Sequence, residues 1–239
     1  MQRVGRPLLL IAILASVAVS HAHVAGTTAG SFFYPAPLES GSIKSTFDMM
    51  FARVPYDVVE ENQTYRWPLF SVRGLVGLPE NFAVEASVST NIVNWNIVAG
   101  PKWRYDFTDR LRAYLSADAS FFYGNLNAGQ IDQSATGWSG APGLAVGYSF
   151  GDVSVTLKGE LNYLFSLTGK TGELETERTS TLQNGWTISG FVEQPLWGDH
   201  YVIVGLRMNH VKFYYQTWLL APTFDKFYYV PEAMLGIRL

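Results

Sequence analysis

The sequence predicts an all-β chain: an up-and-down antiparallel β-barrel of about ten strands. Three observations lead there. Apolar and polar residues alternate with period two from Ile43 to Leu239, the spacing of a strand with two unlike faces. After the first strand, longer polar loops alternate with short turns. The last stretch, Tyr228 to Leu239, sets Tyr229, Pro231, Ala233, Leu235, Ile237 and Leu239 against Glu232, Met234, Gly236 and Arg238. An open edge with such a face invites aggregation, and closure into a barrel removes the edge.

In chain order, strand one covers Ile43 to Arg53, with Ile43, Phe47, Met49 and Phe51 on one face and Lys44, Thr46 and Asp48 on the other. The stretch from Asp57 to Arg66 is polar, a loop. Strand two, Leu69 to Leu78, carries Phe70, Val72, Val76 and Leu78 opposite Ser71 and Arg73; Pro79-Glu80-Asn81 is the turn chemistry that ends it. Strand three, Phe82 to Ile92, opposes its apolar series to Glu85, Ser87, Ser89 and Asn91. A short connection near Asn94 leads to strand four, Asn96 to Phe107, where Ile97, Trp103 and Tyr105 oppose Lys102, Arg104 and Asp106.

Strand five alternates from Leu111 to Tyr123 against Arg112, Tyr114, Ser116 and Asp118. Asn125 to Gly140 is then expected as a loop, rich in Gly, Asn and Ser. Strand six is Ala141 to Phe150, and Gly151-Asp152 is a two-residue hairpin turn. Strand seven, Val153 to Leu167, is the most regular, opposing Lys158 and Glu160 to Leu157, Leu161 and Phe165. Thr168 to Asn184 is expected as a second long loop. Strand eight is Gly185 to Gln194, with Glu193. Strand nine is Tyr201 to Tyr214, where Ile203 and Val211 fall on the polar side. A loop from Leu219 to Phe227 precedes the last strand.

Residues 1–22 have the make-up of a signal peptide: Arg3 and Arg6, an apolar run from Leu8 to Val19, and the small-x-small site Ser20-His21-Ala22. Residues 23–41 form an expected flexible lead-in, and 42–239 the barrel. Cleavage would leave 15 Lys and Arg against 20 Asp and Glu, a negative balance that argues against nucleic acid as a partner. The chain has no Cys, which excludes disulfides and thiolate chemistry. No apolar run of about 20 residues follows the N-terminal stretch, so membrane residence would come from strands. No Walker loop, zinc spacing or dinucleotide fingerprint occurs, and no cofactor or metal is expected.

The alternating final strand resembles the C-terminal strand of bacterial outer-membrane β-barrel proteins, with Leu239 where that family ends on an aromatic residue. The resemblance is one of pattern across most of the mature chain. It implies an outer-membrane location, a lipid environment, insertion by the barrel assembly machinery, a monomer, and short turns on the periplasmic side. Trp and Tyr fit two interfacial girdles: Trp67, Trp95, Tyr123, Trp186, Tyr214 and Trp218 at the external ends, Trp103, Tyr105, Trp197 and Tyr201 at the turn ends.

If the bulky faces meet lipid, the barrel is transmembrane. The lumen is then lined by Lys44, Asp48, Arg73, Glu85, Lys102, Arg104, Arg112, Asp118, Lys158, Glu160, Glu193, Arg207, Glu232 and Arg238. Two readings stay open. A slight cationic excess suits a narrow pore for small polar solutes. Near-balanced charge suits a paired network that fills a structural or surface-interaction barrel. Omptin proteases resemble this architecture in strand number, and lipid A deacylases and outer-membrane phospholipases use a Ser/His pair on the barrel wall. The residue such chemistry would use here is His210, near the external end of strand nine, with Ser166, Glu173, Glu175 and Glu177 approaching from strand seven and its loop. The sequence favours a protein that is not an enzyme.

Overall fold

The computed structural model describes residues 30–53, 66–128, 131–218 and 226–239. Ten strands run β1 (Ile43–Arg53), β2 (Arg66–Gly77), β3 (Phe82–Thr90), β4 (Asn94–Asp106), β5 (Leu111–Ala128), β6 (Ile131–Phe150), β7 (Val153–Thr171), β8 (Leu174–Trp197), β9 (His200–Val211) and β10 (Tyr228–Arg238). Each pairs antiparallel with its neighbours, and β1 pairs with β10 (Phe47 opposite Ile237, Phe51 opposite Ala233), so the sheet closes into a barrel. Closure satisfies the edges that β1 and β10 would otherwise present.

The alternation sorts side chains as the period requires. Val72, Ile97, Leu115, Leu157, Ile188, Leu206 and Leu235 all point outward and are exposed, while Asp48, Ser71, Thr156, Ser189 and Glu193 point inward and are buried. Apolar exposure on every side far exceeds the few hundred Å² a soluble monomer tolerates. On β4 the outward belt runs from Trp95 to Tyr105. Ten residues at about 3.3 Å each, tilted by about 40°, give roughly 25 Å, the height of the apolar band of an outer-membrane barrel.

The two long loops expected at 125–140 and 168–184 are largely strand. β5 to β8 are 18, 20, 19 and 24 residues long, against about ten needed to cross. They continue past the band as two hairpins, β5–β6 and β7–β8, whose outer parts meet water on both faces. Period-two patterning is absent there because no face needs to be apolar. A bulge in β7 at Phe165 shifts the register, since Trp138 pairs with Ser166 and Ser139 with Leu164. Leu167, expected outside, is therefore fully buried inside. On β8, Gly185, opposite Asn162 and Val211, holds φ +127°, a conformation that side-chain-bearing residues rarely adopt.

β9 ends at Val211 rather than Tyr214. The chain then turns into the barrel mouth through a single 3-10 turn, Tyr215–Thr217. Tyr214 and Trp218 are thereby buried inside, and Tyr201 at the other end is buried against the N-terminal segment; none of the three belongs to a girdle. Trp95, Trp103, Tyr105, Tyr123 and Trp197 are exposed on the outer wall, joined by Trp138. The Trp67 side chain, the signal peptide at 1–22 and residues 23–29 of the lead-in lie outside the described residues.

Candidate functional site

The inner wall is an ion-pair network. Arg73 Nε donates to Asp48 Oδ2 at 2.6 Å and its Nη1 lies 3.7 Å from Glu85, which also pairs with Lys102. Across the lumen, Lys158 bridges Asp118 at 3.2 Å and Glu160 at 2.7 Å. Arg207 lies 3.5 Å from Glu232. Nearer the turn end, Arg104 and Arg112 share Asp106 at 3.1 and 3.2 Å. Arg238 donates to the Asp199 carbonyl at 3.0 Å. Charges held in so narrow a space carry a large desolvation penalty, which mutual pairing offsets. The register explains the pairs: Arg73 and Asp48 lie on adjacent strands, as do Arg207 and Glu232.

The remaining two of the fourteen expected lumen residues do something else. Glu193 is fully buried on β8 and accepts three successive backbone N–H groups: Phe32 at 2.6 Å, Phe33 at 3.0 Å and Tyr34 at 2.8 Å. Lys44 Nζ donates to the Ser31 carbonyl at 2.8 Å. Residues 31–34 therefore enter the barrel from the end where the short turns lie and are buried, which corrects the expectation of a flexible lead-in for that part. Three consecutive N–H groups converging on one carboxylate form an anion-binding concavity, here filled by the barrel's own side chain.

Packing completes this plug. Phe33 stacks on Phe191 with centroids 3.9 Å apart, and the Arg73 guanidinium lies 5.6 Å above the Phe33 ring. Phe32 and Phe33 share a buried cluster with Met50, Leu69, Leu75, Phe191, Ile203 and Met234. They form an apolar patch on the inner face at this end of the barrel. Tyr34 fits because β6 has Gly147 beside it: a Cβ there would lie 2.6 Å from the Tyr34 ring.

The opposite mouth, on the side of the long hairpins, is closed by the segment after β9. Phe213 and Trp218 pack on Phe122, Leu164 and Leu167. Tyr214 packs with Val211, Val230 and Ala52. A second carboxylate is the anchor: Glu232 accepts from Tyr214 Oη at 2.7 Å and from Asn209 Nδ2 at 2.8 Å. Asn184 exchanges hydrogen bonds with the backbone of Phe213, and Asn94 Nδ2 donates to the Tyr215 carbonyl at 3.3 Å. Between the closures lies a polar cavity of about 170 Å³, edged by Arg73, Glu85, Asp118, Lys158, Glu160 and Arg207. It has room for on the order of ten waters.

His210 is outside, on the wall. Its contacts are rings: Tyr229 at 4.4 Å, Phe227 at 5.1 Å and Trp186 at 5.2 Å. Ser166, on β7, has Ser180 of β8 as its register partner. Glu173 and Glu175 belong to the tip of the β7–β8 hairpin and its strand β8, and the side chain of Glu177 is outside the described residues. The functional features that sequence reasoning missed are the Phe32-Phe33-Tyr34 plug and the inward turn at 213–218. Ile203 and Val211, apolar on the polar face, were their signal.

A closed up-and-down barrel with an apolar outer belt and a charged, paired interior is the architecture of outer-membrane β-barrels. No protein-family model matches this chain, and no curated protein matches it. Among solved structures it is similar to small outer-membrane barrels. The KdgM porin in complex with disordered oligogalacturonate is 12% identical over 81% of this chain and 97% of that one, with a TM-score of 0.40. Neisserial surface protein A is 15% identical over 84% and 99%, with a TM-score of 0.37. The translocator domain of the autotransporter NalP from Neisseria meningitidis is 12% identical over 84% and 88%, with a TM-score of 0.41. These are likenesses of fold; the barrel assignment itself rests on the closed register of ten strands.

Proposed function

We propose that this chain is an integral protein of the bacterial outer membrane whose barrel is closed at rest and which presents its long external hairpins at the cell surface. It is exported with residues 1–22 removed, inserted by the barrel assembly machinery, and monomeric. The observation that carries the closed state is the double stopper: Phe32-Phe33-Tyr34 clamped by Glu193 at one end, and Phe213 to Trp218 anchored by Glu232 at the other. A constitutive narrow pore would need neither. The protein performs no covalent chemistry in this reading, since His210 is committed to an aromatic stack rather than to a nucleophile.

A second reading is gated passage of small polar solutes. It is favoured by one observation, the charged cavity held between two non-covalent closures. Planar-bilayer conductance of the refolded mature protein separates the two. The closed reading expects inserted protein to stay silent at moderate voltage. Sustained, salt-dependent current steps from the wild-type chain would overturn it and make passage the resting activity.

A further inference from the structure

The outer wall carries a second arrangement at its external rim, one the lumen does not use. Trp186, His210, Tyr229 and Phe227 stack ring on ring across β8, β9 and β10. Lys212 follows His210 by two residues and sets its ammonium 5.1 Å over the Phe227 ring. One strand further round, Arg53 ends β1, exposed, two residues beyond the outward Phe51. Among the described residues, no ion pair involves Arg53 or Lys212, whereas every lumen ion pair there matches a base to an acid.

Depth points to the anion. Both cations stand just past the end of the apolar band, where girdle rings give way to lipid headgroups. Ala52 pairs with Glu232 and Tyr229 with His210, which fixes the lateral spacing. From the strand rise and strand spacing, the backbones of Arg53 and Lys212 lie roughly 16 Å apart, close enough for their long side chains to converge on one headgroup. On β5 and β6 the outward positions beyond Tyr123 and Trp138 include Asn125, Asn127 and Asp132, none of them a cation; the exposed cations of the neighbouring hairpin, Lys170 and Arg178, lie on β7 and the outer part of β8.

We propose that the β8–β9–β10–β1 arc is a binding site for a phosphorylated lipid of the outer leaflet. The rings take the apolar and sugar portions, and Arg53 and Lys212 take the phosphate. The assignment rests on the outer-membrane reading above and names a ligand class that reading leaves open.

The test uses the full mature protein refolded in detergent. Binding of a bisphosphorylated diglucosamine lipid is measured by native mass spectrometry against its dephosphorylated form and inorganic phosphate. The wild type should hold the phosphorylated lipid at least tenfold more tightly than the dephosphorylated form. The double variant Arg53→Gln, Lys212→Gln should lose that preference, and inorganic phosphate at equal concentration should not displace the lipid. Equal binding by wild type and variant, equal binding of the two lipids, or displacement by phosphate alone would each overturn the site. Insertion into vesicles, read by heat-modifiable migration, is scored in parallel. A wild type that fails to insert removes the outer-membrane reading, whereas one that inserts without lipid preference removes only this site.

Discussion

Replacing Glu193 with Gln should unlatch the Phe32-Phe33-Tyr34 plug while leaving the barrel intact. The carboxylate accepts three backbone N–H groups at 2.6, 3.0 and 2.8 Å from a fully buried position. A hydrogen bond to a charged group contributes about 1.5–3 kcal/mol, and a buried donor left without an acceptor costs about 1–3 kcal/mol. Glutamine keeps one acceptor oxygen but turns an N–H donor toward N–H donors. The loss is then about 3 kcal/mol, taken low because water can enter from the mouth at the turn end. That corresponds to roughly a 150-fold rise in the open population. Chymotrypsin reports it, since it cuts after Phe32 and Phe33, both buried, while Pro35 protects the bond after Tyr34. Where reclosing outpaces cleavage, the cutting rate follows the open fraction. Cleavage within 32–34 should accelerate by about two orders of magnitude, with brief conductance openings. Cleavage at the wild-type rate, in protein shown to be folded, would refute the idea that Glu193 holds the plug.

Three further outcomes follow from the same geometry. Gly147→Val should release the plug by another route, because its side chain would collide with the Tyr34 ring and Pro35 Cδ, each 2.6 Å from the Cβ position; it should share the protease sensitivity of the Glu193 variant. Arg73→Gln leaves Asp48 buried without its 2.6 Å partner and weakens the hold on Glu85. Breaking a buried pair costs about 3–5 kcal/mol, so heat-modifiability gels should show the barrel unfolding on the order of 10 °C lower. Leu157→Arg alters a residue that is 60% exposed. On a soluble protein that change would be nearly neutral, but on the lipid face it should cost about 2–4 kcal/mol, read as reduced folding into vesicles.

How much of this the sequence disclosed follows from where each face looks. β1 was legible to the residue, Ile43 to Arg53, because lipid outside and charge inside force strict alternation. The inward parity of Arg73, Glu85, Lys158, Glu160 and Glu232 was legible for the same reason, and the pairs between them depend on a register that alternation alone does not give. The outer parts of β5 to β8 were not legible as strands, since water on both faces erases the pattern. Glu193 resembled any lumen acid, because its partners are backbone N–H groups 159 to 161 residues away. The off-parity Ile203 and Val211 carried the information that something apolar fills the lumen ends. Tyr214 and Trp218 misled because an aromatic residue at a strand end suits a girdle and a plug equally well.

The central claim is that the apolar face of every strand meets lipid while the charged face is enclosed. Because the chain has no cysteine, single-cysteine spin labels can be placed without background. A scan of β7 in refolded vesicles, from Ser154→Cys through Leu161→Cys, should show collision with membrane-dissolved oxygen highest at Val155, Leu157, Gly159 and Leu161, and low at Ser154, Thr156 and Lys158. A water-soluble nickel chelate should reach the outward positions poorly. Free access of the chelate to Leu157 and Leu161, or the absence of a two-residue period, would contradict a transmembrane barrel and with it the account of the lumen.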